Sequence, residues 1–238
     1  MDLSDSVENE YLCLKLLEAF GLRTANVEMA KFGKRKALVV ERFDRLWAKD
    51  GRLIRLPQED FCQVLSIPPT RKYQNEGGPG MVDIIDRLRG SDEPTQDRQD
   101  FFKANILFWL MGATDGHAKN FSIALTPGGL FRMTPLYDVL TVQPTYDQGQ
   151  VQRKDFKLAM RFGKSNHYKI ENIYGRHIVE TGIQGGLSKD AVGSLFEELH
   201  QHAPKAIEKT IKVLPKGFPA ALIDSVQGAI SDRLKRLD

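Results

Sequence analysis

The stretch GATDGHAKNF, residues 112 to 121, crowds Asp115, His117, Lys119 and Asn120 together, with Gly116 between the first two. It follows directly on DRQDFFKANILFWLMGA (97–113), the most apolar helical pattern in the chain. A helix of that composition belongs at the centre of a core, so the polar cluster is presented from the end of a buried element. Downstream, FSIALTPGGLFRMTP (121–135) reads as a β-hairpin turning at Pro127, Gly128 and Gly129. Beyond it, TPLYDVLT (134–141) sets Asp138 after an aromatic residue and among apolar neighbours. Two carboxylates and an amide on the two flanks of one hairpin can converge on one point.

Such a set suits phosphoryl transfer. One Asp accepts the proton of an attacking hydroxyl, while an amide oxygen and a second carboxylate hold Mg²⁺ against the phosphates, and positioning with charge neutralisation supplies most of the rate. The spacing D-x-x-x-x-N from Asp115 to Asn120 matches the catalytic loop of protein kinases, in which the Asp is the base and the Asn a metal ligand. Alone it is a weak signal; the second Asp beyond the hairpin makes it more specific. Plainer readings stand beside it: Asp115 as a turn cap, Asn120 as a left-handed turn residue, Asp138 as the cap of a following turn. A zinc site on Asp115 and His117 lacks a matching His/Cys pair, because His167, His177, His200 and His202 fall in stretches read as helical and mostly polar.

Outward from this centre, SDSVENEYLCLKLLEAFGL (4–22) predicts a helix with N-caps offered between Ser4 and Ser6, an apolar face of Leu12, Leu14, Leu16, Leu17 and Phe20, and a stop at Gly21. NVEMAKF (26–32) and KALVVERF (36–43) predict two strands joined through Gly33. The polar DRLWAKDGRLIRL (44–56) precedes a short helix near QEDFCQVL (58–65), and the NEGGPG loop (75–80) leads into MVDIIDRL (81–88). From about residue 170 the pattern is helical to the end, with Leu222, Val226, Ile230, Leu234 and Leu237 at three- and four-residue spacing. The expected fold class is α+β, mostly α: a small piece over 1–45 and a largely helical lobe over 46–238.

Bulk properties set limits. At 238 residues, 41% hydrophobic and 27% charged, the chain can bury a sizeable core as one large domain or two lobes. A net charge of +3 suits an anionic ligand or a nucleic-acid neighbour without arguing for either. Cys13 and Cys62 lie in apolar helical patterns and read as reduced core residues. There is no apolar run of membrane-spanning length, and the acidic, polar MDLSDSVENEY is no signal peptide, so a cytoplasmic protein is expected.

The motifs SVENEYLCLKLLEAFGL, ALVVERFDR, RLPQEDFCQ, KYQNEGGPG, GATDGHAKNFSI, TPLYDVLT and KLAM, in this order, resemble the C-terminal part of the HipA family of bacterial toxin serine/threonine kinases. The resemblance runs over the whole chain and implies a two-lobed fold distantly related to eukaryotic protein kinases. It implies that Asp115 is the catalytic base, that Asn120 and Asp138 hold Mg²⁺, and that His117, Lys119 and Tyr137 lie beside ATP. VVERF (39–43) looks like the hinge strand, so Glu41, Arg42 and Phe43 are expected against adenine; on its residues alone it is a half-buried strand with Glu41 and Arg42 in solvent. Lys119, read by itself, is a solvated lysine. The implied partners are a HipB-like DNA-binding antitoxin and an aminoacyl-tRNA synthetase as substrate, with nucleic acid reached only through the antitoxin.

A kinase of this family carries a phosphate-covering loop and a strand lysine ahead of the first helix. Their lack upstream of residue 1 leads to the expectation that transfer by this chain alone is slow or undetectable, or that the chain is a non-catalytic antitoxin-binding relative. GGPG (77–80) is no replacement, since no Lys-Ser/Thr follows it, and reads as a loop that shapes the start of a helix. Glu8 and Glu10 are expected to lack the lysine that such a carboxylate would orient.

Overall fold

The computed structural model describes residues 5–237. Helix α1 (Ser6–Ala19) opens the chain and turns out through Gly21, whose φ of +87° is left-handed backbone that glycine adopts without strain. Its N-cap is Asp5, with no side-chain capping bond; Ser4, one of the expected caps, lies outside the described residues. Strands β1 (Val27–Phe32) and β2 (Arg35–Val40) form the expected hairpin, antiparallel from Val27↔Val40 to Phe32↔Arg35. The face carrying Val27 and Leu38 packs on the core that α1 enters, and the same face carries Lys36 to the Glu8 carboxylate. Glu8 thus has a lysine partner on β2, a different residue from the phosphate-gripping lysine expected ahead of the first helix.

Three local readings are corrected. DRLWAKDGRLIRL is not a plain connector but a second hairpin, β3 (Arg45–Trp47) with β4 (Leu53–Arg55), closing around Asp50–Gly51 with Gly51 at φ +83°. The helix near QEDFCQVL shrinks to α2 (Phe61–Val64), because Gln58–Asp60 is taken as strand β5. Asp60 caps α2 by accepting the Gln63 N–H at 3.0 Å, while Gln63 Oε1 accepts the Asp60 N–H, which is why the switch falls there.

Helix α3 (Met81–Arg87) follows the glycine-rich loop, and α4 (Pro94–Met111) forms the axis of the molecule. Every residue of α4 from Phe101 to Met111 is buried, as the uniform apolar pattern requires. Trp109, fully buried, donates its indole N–H to the Ile170 carbonyl at 3.0 Å, so its one polar atom is satisfied. Buried Asp97, in the first turn of α4, collects Arg23, Arg132, Ser91 Oγ and the Met133 N–H, tying α4 to the chain after α1 and to the hairpin that follows.

That hairpin is β6 (Ser122–Thr126) with β7 (Leu130–Met133), and β5 adds to the far edge of β6 to give the order β5-β6-β7. After a short α5 (Gln143–Asp147), strands β8 (Lys157–Phe162) and β9 (His167–Lys169) make a further hairpin that the sequence pattern did not announce. Helices α6 (Gly175–Gln184), α7 (Lys189–Val213) and α8 (Ala220–Leu234) complete the chain. The stripe Leu222, Val226, Ile230, Leu234 and Leu237 is buried. His167 lies on a strand, and His177 is buried in α6 with its ring stacked on His167 at 3.8 Å, so neither has the polar helical setting expected for them. Among the described residues no helix is long and apolar enough to cross a membrane.

Candidate active site

The C-terminus of α4 delivers the polar loop. Gly112 ends the helix at φ +74°, with its N–H on the Trp109 carbonyl and the Ala113 N–H on the Phe108 carbonyl at 2.8 Å. Gly116 answers the question its position raises: a Cβ there would lie 2.5 Å from Cδ2 of the Phe108 ring. The loop folds back over α4 so closely that no side chain fits at this position. His117 then caps a 3-10 turn, Ala118–Asn120, that leads into β6.

Asp138 reaches the same place from the other flank. The segment before it is held by the Leu136 N–H on the Arg23 carbonyl and the Ala25 N–H on the Leu136 carbonyl, both at 2.8 Å. The segment after it is gripped by Asn9 of α1, which accepts the Thr141 N–H and donates to the Thr141 carbonyl, each at 2.8 Å. Between these fixings Asp138 takes φ +56°, one of two non-glycine residues in left-handed backbone among the described residues. That conformation costs about 1–3 kcal/mol and persists only where the surroundings over-determine it.

Three of the expected residues come together here. Asn120 donates its amide to Asp138 Oδ2 at 2.9 Å and to the Asp138 carbonyl at 3.3 Å. Asp115 and Asp138 line one recess of about 40 Å³ with Phe108, Ala113, Gly116, Val139 and Leu140. The Oδ1 of Asn120 is buried and has no hydrogen-bond partner among the described residues. A buried acceptor left unpaired costs on the order of 1–3 kcal/mol, which asks for a cation or donor at that atom. An amide oxygen beside a carboxylate is the hard-oxygen pair that suits Mg²⁺, which keeps its other positions for water and phosphate. Among the described residues no group of three or more His, Cys, Asp or Glu side chains is placed to hold a metal ion.

Each of the other expected residues has its own setting. His117 is buried, and burial pushes its pKa down, so it sits as a neutral imidazole 3.8 Å from Asp115 Oδ2. Its Nδ1 is buried with no partner among the described residues. Tyr137 shares a hydrogen bond with Ser122 Oγ at 2.6 Å and donates to the Lys119 carbonyl at 3.1 Å, and its ring lies 5.7 Å from that of Phe43. Phe43 thus packs beside the residue that precedes Asp138.

Glu41 and Arg42 lie just past the end of β2 and are exposed. The Glu41 N–H goes to the Asn26 carbonyl, and Arg42 turns its guanidinium back onto Asp44, holding that carboxyl down at about 2. Among the described residues the Glu41 carbonyl and the Phe43 N–H take no backbone partner. Lys119 is less free than a nucleotide contact would need, since its ammonium binds Asp60 Oδ2 at 2.9 Å.

One participant was missed. Tyr73, from KYQNEGGPG, donates its hydroxyl to Asp115 Oδ1 at 2.7 Å and meets the His117 ring edge-on at 5.1 Å. No spacing rule links positions 42 residues apart, so only the fold shows the contact. A larger cavity of about 670 Å³ between α1, α4 and α7 contains none of these residues.

The sequence matches the family model of the HipA-like C-terminal domain over residues 1–207. A putative kinase of Sinorhizobium fredii, Y4mE, is 41% identical over 160 residues, covering 67% of this chain and 36% of the relative. The serine/threonine-protein kinase toxin HipA of Shewanella oneidensis is 28% identical over 222 residues, covering 88% of this chain and 49% of the relative. The structure of that organism's HipA with HipB and operator DNA superposes with a TM-score of 0.84 at 26% identity, over 97% of this chain and 55% of that one. The Helicobacter pylori kinase CtkA, at 11% identity and a TM-score of 0.66 over 98% of this chain and 84% of that one, shares the fold. This chain thus spans about half the length of the Shewanella relative and about a third of the Sinorhizobium one. With an α+β, mostly helical architecture to match, the chain belongs to the HipA-like C-terminal domain family.

Proposed function

We propose that this chain is the catalytic part of a Mg²⁺- and ATP-dependent protein kinase that phosphorylates serine or threonine. The observation that carries the reading is the meeting of Asp115 and Asp138 in one recess, with the Asn120 oxygen buried and unpaired beside them. Relatives described as kinases support it.

In this reading Asn120 Oδ1 and the Asp138 carboxylate would hold Mg²⁺, which when bound neutralises charge on the transferring phosphoryl group. Asp115, whose side chain is 61% exposed, accepts the proton of the protein hydroxyl. The Glu41 carbonyl and Phe43 N–H would offer hydrogen bonds to the adenine edge, and the rings of Phe43 and Tyr137 an apolar surface to its face. Arg42 acts by holding Asp44 so that the hinge keeps its shape. Neutral His117 supports the loop beside the phosphates. Lys119 fixes the 3-10 turn through Asp60 and contributes charge at a distance. We take residues 1–45 as the part of the small lobe this chain contains and 46–238 as the large lobe.

The partner we propose is a HipB-like DNA-binding antitoxin, on the strength of the Shewanella complex, and the acceptor an aminoacyl-tRNA synthetase. Calorimetry with ATP tests the core of this reading. Binding that requires Mg²⁺ is expected; an absence of binding, while a HipB-like protein still associates, leaves a non-catalytic antitoxin-binding relative instead.

A further inference from the structure

The KYQNEGGPG segment is built to hold one side chain against Asp115. Gly78 is packed so tightly that a Cβ would lie 2.1 Å from the Arg71 carbonyl oxygen and 2.8 Å from that of Tyr73. The Tyr73 carbonyl accepts the N–H groups of Glu76 and Gly78 at 3.0 and 2.9 Å. A Cβ on Gly80 would strike the Gln74 side chain at 2.1 Å, and that side chain accepts the Arg161 N–H of β8 at 2.8 Å. Strand β8 in turn gives the Ala159 N–H to the Thr114 carbonyl at 3.0 Å, one residue before Asp115. The glycines thus close a compact loop that is riveted to the strand supporting the catalytic loop.

The result is a tyrosine whose hydroxyl donates to Asp115 Oδ1 at 2.7 Å and whose ring is braced by His117 on one side and by the Lys72 ammonium, 5.0 Å from the ring centre. Burial first, and the Asp115 carboxylate second, push the phenol up to about 12, so it stays a donor. Asp115 is otherwise a mostly exposed side chain with several rotamers open to it.

Resting on the kinase reading above, we infer that Tyr73 is a positioning residue for phosphoryl transfer: it pins one oxygen of Asp115 so that the other faces the incoming hydroxyl. A charge-assisted hydrogen bond of this kind fixes geometry that transfer to a poorly nucleophilic alcohol needs.

The test uses the full chain, γ-labelled ATP with Mg²⁺, and a degenerate serine/threonine peptide pool. Tyr73→Phe is expected to lower kcat about tenfold while leaving the KM for ATP unchanged, and to cost nothing further in an Asp115→Asn background. A separate arm reads the contact itself. In ¹³C-tyrosine-labelled protein, the Cζ signal that Tyr73→Phe removes should move in Asp115→Asn while the other tyrosine signals stay. A Tyr73→Phe protein that transfers at the parent rate or faster overturns the inference, the faster rate marking the hydroxyl as a plug in the acceptor position. An equal loss in ATP affinity, or a Cζ signal indifferent to Asp115→Asn, overturns it too. If the parent chain transfers too slowly to read, the Cζ signal alone decides the inference; if it binds no ATP, it is the kinase reading that fails, and the role of Tyr73 with it.

Discussion

The Asn120 amide donates to Asp138 Oδ2 at 2.9 Å, and this single contact orients both proposed metal ligands: it fixes the carboxylate and leaves the amide oxygen buried, with no hydrogen-bond partner among the described residues. Asp138 is held in left-handed backbone by fixings on both sides, so its side chain has little to do with keeping the fold. Asp138→Asn should therefore abolish Mg²⁺-dependent ATP binding in calorimetry while changing the melting temperature by no more than about 2 °C. Retained Mg²⁺-dependent binding would remove Asp138 from the metal site.

Gly116 is required by the Phe108 ring. Gly116→Ala puts a methyl where 2.5 Å separates it from a ring carbon, and should destabilise by about 1–3 kcal/mol in urea unfolding. Phe108→Leu, introduced in the same molecule, should recover part of that loss, giving a non-additive pair. Strict additivity would mean that the loop relaxes away from α4.

Asp97 is buried with Arg23, Arg132, Ser91 and a backbone N–H around it. Asp97→Ala leaves Arg23 without its carboxylate, Arg132 with Glu93 alone, and a backbone donor without its acceptor. A loss of about 3–5 kcal/mol is expected from denaturant curves, less if the partly exposed arginines turn to solvent.

These sites differ in how far the primary structure discloses them. The convergence of Asp115, Asn120 and Asp138 could be read because local spacing and one hairpin carry them, and a hairpin is a short-range object. The β3–β4 hairpin was missed although Asp50–Gly51 is a turn signal, because Arg45 and Arg55 in its strands and Arg52 in its turn make it look like solvated connector. Strand β5 was missed for another reason: it exists only because the distant β6 offers an edge to pair with. Tyr73 and the Glu8–Lys36 pair depend on loops and strands meeting in space, which no periodicity records.

His177 allows a pH prediction. Burial, and then the His167 ring stacked on it, push its pKa below the usual value, and its Nδ1 accepts the Tyr174 N–H, so the folded protein holds it neutral. The unfolded chain takes up a proton near pH 6.5 and the folded one does not until lower pH. Stability should therefore fall as pH drops below about 6.5 and be flat with respect to this group above it. His177→Gln keeps an acceptor for the helix cap and should flatten part of that slope in melting curves measured from pH 7.5 to 5. An unchanged slope would assign the acid sensitivity elsewhere, His117 being the next candidate.

The central claim, that Asp115, Asn120 and Asp138 surround one magnesium-bound nucleotide, is tested most directly by a crystal structure of the chain with Mg²⁺ and a non-hydrolysable ATP analogue. The ion is expected between Asn120 Oδ1 and the Asp138 carboxylate, the terminal phosphate within reach of Asp115, and the adenine beside Phe43. A nucleotide seated in the cavity between α1, α4 and α7, or an ion that touches neither Asn120 nor Asp138, would contradict it.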